Sequence, residues 1–241
     1  MPVDPKELFK AGKVREAVQA LTSYLREHPA DTAQRTFLFE LLCFSGEFAR
    51  AEKQLAVLAD GSPDKERGAI VYYAALHAEK TRHDLFQKEE FASDCPASPP
   101  GTLNDKPFTE IRDADPDIGA RLEIFAAGSY VWLPFAHVAS LEMEPPRRLR
   151  DTLWAPAIIQ AAPSFHGKDL GEVLIPAMYP FSWKQENEEV WVGRLTEWLV
   201  DDQDRESPIG QKMLLVDGEE FPFLEVRSLR FHHAATSPTE Q

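Results

Sequence analysis

The chain has 241 residues, 43% of them hydrophobic and 27% charged, a composition that excludes wholesale disorder. Its 26 basic and 40 acidic side chains give a formal net charge of −14. That sign repels phosphate backbones and anionic lipid, so it argues against nucleic acid or a membrane surface as the principal partner; the run PRRLR at 146–150 is the lone basic candidate.

The N-terminal stretch MPVDPKELFKAGK lacks the charged head and apolar core of a signal peptide. No window reaches the about 20 apolar residues of a membrane helix. Cys43 and Cys95 stand in dissimilar surroundings and read as reduced thiols, so a cytoplasmic protein is expected. Asp4 is placed to cap a short helix with Pro5 in its first turn.

Next comes a repeat. Gly12 and Gly46 lie 34 residues apart, and at the same offset Val14 meets Phe48, Ala17 meets Ala51, Leu21 meets Leu55 and Pro29 meets Pro63. That period, with glycine at the interhelical turn and a closing proline, is the tetratricopeptide pattern. Val14, Ala17, Val18, Leu21 and Leu25 form one helical stripe, and Phe48, Ala51, Leu55 and Leu58 repeat it. The dense apolar run within Thr32–Ser45 then reads as a middle helix covered on several sides. A third unit begins near Ser62-Pro63, with a degraded second helix around residues 82–91. Stacked repeats need about three units to stand alone, so this stub is expected to lean on the C-terminal half of the chain.

Residues 92–107, rich in proline, read as a linker between a helical unit at 1–91 and a second unit at 108–233; residues 234–241 read as a polar tail. Beyond the linker the period becomes alternating. Residues 120–135 read as a hairpin turning at Ala127-Gly128, HVASLEME as a further strand, and RRLRDTLW as a short helix. Strands are also expected at 157–161, 170–175, 190–196, 212–216 and 223–231. The fold class is α+β: tetratricopeptide-like hairpins followed by a small mixed, partly barrelled domain.

The segments RTFLFELLCFSGEFARAEKQLAVLA, DADPDIGARLEIFAAGSYVWLPFAHVASLEMEPPRRLRDTLW, LIPAMYPFS, GRLTEW and IGQKMLL…LEVRSLRF together resemble successive motifs of the ImpE/TagJ family. The resemblance implies an accessory protein of bacterial type VI secretion with no enzymatic activity, working in the cytoplasm beside the contractile sheath. It also implies binding to a helix of the small sheath subunit, TssB, and through it a link to the ClpV unfoldase. Members of that family carry a further helical segment where residues 92–107 stand here.

Within the repeats, the first helix of each hairpin forms the inner wall. Ala33, Thr36, Glu40, Cys43 and Phe44, then Arg67, Ile70, Ala74, His77 and Ala78, are expected to line a trough fit for an amphipathic helix. The alternative is that the chain's later half folds back and fills it. Among candidate chemical groups, Asp113, Asp115 and Asp117 are spaced like the start of a calcium loop, but glycine and glutamate fall one place from where that loop needs them. They read as a capped polar turn; a small metal-dependent hydrolase or ligand-binding site on them is the competing function. Arg147, Arg148, Arg150 and Asp151 read as an anion-binding start or as structural ion pairs, with Trp154 beside them in the core. His77 and His83 do not share a helical face, and His232-His233 opens the tail, so no metal or cofactor is expected. The segment SWKQENEE at 182–189 reads as a solvated loop.

Overall fold

The computed structural model describes residues 4–89, 91, 95–163, 165, 170–200 and 204–233. Five helices come first: α1 (Pro5–Lys10), α2 (Val14–Glu27), α3 (Thr32–Phe44), α4 (Phe48–Ala59) and α5 (Pro63–Lys88). Their starts obey the capping rules: Asp4, Asp31 and Ser62 accept from the backbone amides of Lys6, Gln34 and Lys65. Gly12 and Gly46 sit at φ +74° and +69°, left-handed backbone that turns each helix into the next. All five residues of the stripe on α2 are buried, as are Ala51 and Leu55 on α4. On α3 every residue from Leu38 to Phe44 is buried, so cover comes from all sides. α2 and α4 supply two of them, and the rest of the chain supplies the third.

The third unit departs from its expected hairpin. α5 runs unbroken for 26 residues, because no glycine interrupts it near residue 80; it stops at Glu89, which adopts left-handed backbone.

The remainder is mainly sheet. Its elements are β1 (Gly101–Leu103), β2 (Lys106–Phe108), β3 (Ile111–Asp113), β4 (Arg121–Ala126), β5 (Ser129–Pro134), β6 (Val138–Met143), β7 (Trp154–Ala161), β8 (Gly171–Pro176), α6 (Glu188–Trp191), β9 (Thr196–Val200), β10 (Glu206–Gly210), β11 (Met213–Val216), β12 (Glu219–Pro222) and β13 (Ser228–Phe231). Eight strands form one antiparallel sheet in the order β2-β1-β13-β6-β7-β8-β4-β5, open at β2 and β5. β12-β11-β3 and β10-β9 form two smaller sheets.

Strand alternation divides the large sheet into two faces. Leu122 and Ile124 of β4, Ala155, Ala157 and Ile159 of β7, and Val173 and Ile175 of β8 enter a core shared with Leu214 and Phe223. The opposite face turns Phe125 and Trp154 into a second core, continuous with Leu41, Phe44, Leu76 and the other helix residues. The helices therefore do lean on the sheet: one apolar cluster spans both.

Several local readings are corrected. β1 and the first two residues of β2 lie inside the expected linker, and the two strands are joined by a turn at Asn104-Asp105, both at positive φ. Pro107 is tolerated there because β2 is an edge strand. RRLRDTLW is a 3-10 turn at Leu149–Thr152 leading straight into β7. The strand expected at 190–196 is instead α6 and a turn, with Gly193 at φ +69°, and only Ser228–Phe231 of 223–231 is strand. The 234–241 tail lies outside the described residues.

Candidate partner-binding surface

The inner wall of the hairpins is not open along its length. Glu40, Cys43 and Phe44 are buried, and the side chains around Cys43 and Phe44 include Leu153, Met178 and Trp191 from the later half of the chain. Glu40 receives Arg150 Nη1 at 3.3 Å, and the Arg150 guanidinium lies 4.7 Å from the centre of the Tyr72 ring. Of the other predicted contact residues, Thr36 is half-buried and bonds the Thr32 carbonyl at 2.8 Å, Arg67 is exposed and paired with Asp64, and His77 is exposed. Ile70 and Ala74 line a groove that remains open.

Beside the covered wall, α5 is tied to the sheet by a buried charge network that sequence reasoning missed. α5 presents Glu79, Arg82 and His83 on the face that meets the sheet, all three buried. Arg82 makes a bidentate pair with Glu123 of β4, at 2.7 and 2.9 Å, and also reaches Glu79 at 3.0 Å and the Met178 carbonyl at 3.0 Å. Lys212 Nζ bonds Glu123 at 2.5 Å and Asp113 at 2.7 Å. Tyr179 donates to Asp113 at 2.9 Å, Tyr130 to Glu123 at 2.5 Å, and Trp154 Nε1 to Glu79 at 2.8 Å. His83 Nε2 lies 3.1 Å from Glu79 without hydrogen-bond geometry, its ring held among Phe48, Phe181 and Trp183.

Burial alone pushes the Glu79 and Glu123 carboxyls up, but the cations win. Arg82 holds Glu79 at about 2, and Arg82 with Lys212 holds Glu123 at about 2. At Asp115 the balance is reversed: burial and the charge of Asp113 outweigh the pull of Lys212 and push it up to about 7.

This arrangement gives the aspartate turn a structural role. Asp113 spends its oxygens on Lys212, Tyr179 and the Asp115 amide, and Asp115 accepts from the Asp117 amide at 2.9 Å. Asp151 accepts from the Arg147 and Arg148 amides at 3.0 and 2.9 Å, which fixes the 3-10 turn, so its bonds are to backbone and not to the sheet. Among the described residues no group of three or more His, Cys, Asp or Glu is arranged to hold a metal.

The segment at 182–189 is also not a free loop. Trp183 lies against the Gly46 turn and Glu189 against the Gly12 turn, where any Cβ would overlap them. Glu188 takes the Arg15 amide at 2.9 Å and its guanidinium at 3.2 Å, while Arg194 donates to the Phe9 carbonyl at 2.8 Å. The later half thus grips both repeat turns.

The open groove lies between the N-terminal half of α5 and the helix-facing side of the sheet. Its volume is about 910 Å³, and Ile70, Val71 and Ala74 face Phe125, Ile158 and Leu174 across it. Ile70 is 62% exposed, Val71 51% and Ile158 49%, a concentration of large apolar side chains that solvent does not favour. Glu142, Glu144 and Glu172 stand on its lining with one guanidinium, Arg227.

Fold and surface together define a tetratricopeptide-like helical unit fused to a largely antiparallel sheet, with the inner wall largely closed and an apolar groove open beside it. Residues 8–79 match the tetratricopeptide repeat family, and residues 105–230 match the family described as ImpE protein. The chain belongs to the ImpE family. It is 29% identical to the type VI secretion system accessory component TagJ of Pseudomonas aeruginosa, over 94% of this chain and 90% of that one. A crystal structure of a Vibrio parahaemolyticus protein shares the fold, with a TM-score of 0.82, 23% identity, and 96% and 98% of the two chains covered.

Proposed function

We propose that this chain is a non-enzymatic accessory protein of a bacterial type VI secretion system, acting in the cytoplasm as an adaptor. It holds a helix of a sheath component of the TssB kind and so links the sheath to its ClpV-type unfoldase. The observation that carries this reading is the similarity to TagJ across nearly the whole of both chains. The geometry supports it. The buried ionisable groups around Asp113 are committed to holding helices against sheet, while an apolar groove of the kind that takes up side chains of another polypeptide stays exposed.

The test is capture by the immobilised, folded full-length protein, using purified small sheath subunit and, in parallel, a lysate of the protein's own cells. Saturable binding of the sheath subunit, with unfoldase recovered only when sheath is present, is the expected result. Recovery of neither component by a bait that retains its helical circular dichroism would overturn the proposal.

A further inference from the structure

We infer that the groove between α5 and the sheet is the seat of an amphipathic helix from another protein, one whose apolar stripe is flanked by lysine or arginine. This inference rests on the adaptor reading and names the surface and partner chemistry.

Three observations point to that occupant. First, the walls are α5 on one side and the face, not an edge, of β6, β7, β8 and β13 on the other, all four interior in the strand order. Their backbone groups are spent in the ladders, so an extended segment finds no edge to pair with, whereas a helix needs none. Second, the size fits: about 910 Å³ is roughly the volume of two turns of helix with side chains. Ile70 and Val71 face Ile158 and Leu174, apolar on both walls, which suits a stripe with anchors at i, i+3 or i+4, and i+7. Third, the lining is acidic. Glu142 and Glu144 make only exposed ion pairs, with Arg230 at 3.6 Å and Arg147 at 3.4 Å, and Glu172 has no ion pair among the described residues. Arg227 turns its Nη1 to the carbonyls of Leu224 and Val226. A second copy of this chain, at net charge −14, would bring like charge to this rim.

The probe is a fluorescein-labelled helix-forming peptide of about 16 residues, long enough to be helical, with a leucine stripe flanked by lysines. Its twin carries glutamates in their place. Anisotropy is expected to show the lysine peptide binding at least about tenfold more tightly than the glutamate twin, and weakening as salt screens the rim. Ile70→Gln combined with Ile158→Thr should weaken that binding at least about tenfold with the melting temperature held within a few degrees, since both side chains are already exposed and neither replacement adds charge beside Glu142 and Glu172, the cross-strand neighbours of residue 158. Equal binding of the twins, binding untouched by the double variant, or no saturable binding overturns the assignment. A concentration-dependent dimer that the double variant dissociates would make a second copy the occupant and also overturn it. The same variant separates this inference from the adaptor reading. Wild type and variant capturing the sheath subunit equally removes the groove and leaves the adaptor. Groove-dependent peptide binding without capture of the sheath subunit leaves the groove and removes the adaptor.

Discussion

Replacing Arg82 with methionine keeps most of the side-chain volume and removes the cation on which two buried carboxylates depend. In the native network two cations, Arg82 and Lys212, face three carboxylates, Glu79, Glu123 and Asp113, all almost fully buried. Taking away Arg82 leaves one cation for three carboxylates, and also strips the Met178 carbonyl of a donor. Breaking a buried ion pair by deleting one partner costs about 3–5 kcal/mol; because Glu79 and Glu123 lose the same partner, the upper end, about 5 kcal/mol, is expected. Glu123→Gln is the control. It leaves Arg82 with Glu79 and Lys212 with Asp113, charges balanced, and should cost about 2 kcal/mol, close to that of a charge-assisted hydrogen bond. Urea unfolding at neutral pH, read by the fluorescence of tryptophans that include Trp154 and Trp183 at the helix–sheet contact, gives both values. An Arg82→Met loss below about 1 kcal/mol, or one no larger than that of Glu123→Gln, refutes the charge-count reasoning.

Asp115 makes an opposite contribution to pH dependence. Raised from 3.8 to about 7, it keeps a proton in the folded state that the unfolded chain has already lost; its stabilisation is complete below 3.8 and disappears as pH rises through 7. Asp115→Asn should therefore raise stability at pH ~8 by at most about 4 kcal/mol and change little at pH ~4; equal urea midpoints at pH ~8 would contradict this. Glu79 and Glu123, lowered from 4.5 to about 2, act the other way: their stabilisation is present above 4.5 and is lost as pH falls through 2. Arg82→Met removes the charge that lowers them, so the stability gap between wild type and variant should be widest near pH ~7 and narrow as pH falls below 4.5, and a gap that stays constant down to pH ~3 would contradict this. Gly46→Ala forces alanine into left-handed backbone and against the Trp183 ring, and should cost about 2 kcal/mol or more; in a Trp183→Ala background the added cost should shrink to the backbone share, and simple additivity would deny the contact. Phe44→Glu should unfold the protein, because Phe44 is 2% exposed in the shared core; a folded Phe44→Glu protein would return the residue to an open wall.

The helical part was legible because its signals are local. Glycine at the turns, proline after the helices and a periodic stripe fix α1 to α4 almost to the residue, and the Ala127-Gly128 turn fixes the β4–β5 hairpin. The failures share a cause, which is that the deciding contacts lie far apart in sequence. β1 and β2 are strands because they pair beside β13, more than a hundred residues later, and no local pattern announces that. Glu123 sits within the alternating run ARLEIF, where Leu122 and Ile124 mark one face; a carboxylate on the other face reads as solvent-facing until α5 covers it. One signal was present: Glu79, Arg82 and His83 at helical spacing beside Ala75 and Ala78 place charge on a face the alanines bury. In the candidate surface, Ile70 and Ala74 were legible from repeat register, whereas Ile158 and Leu174 on the facing wall depend on how the sheet docks.

Cys43 tests that docking most directly. It lies on the inner wall of α3, is 2% exposed, and has its thiol pushed well up from the ordinary value by burial and then by the nearby charges of Glu79 and Glu40. In a Cys95→Ser variant it is the remaining thiol, so its reaction with a chromogenic disulfide reports on this wall alone. If the later half of the chain occupies the wall, native Cys43 stays unreacted for hours and reacts fully once urea unfolds the protein. Reaction of the native protein at the rate of an exposed thiol would mean the wall is open and the docking described here is wrong.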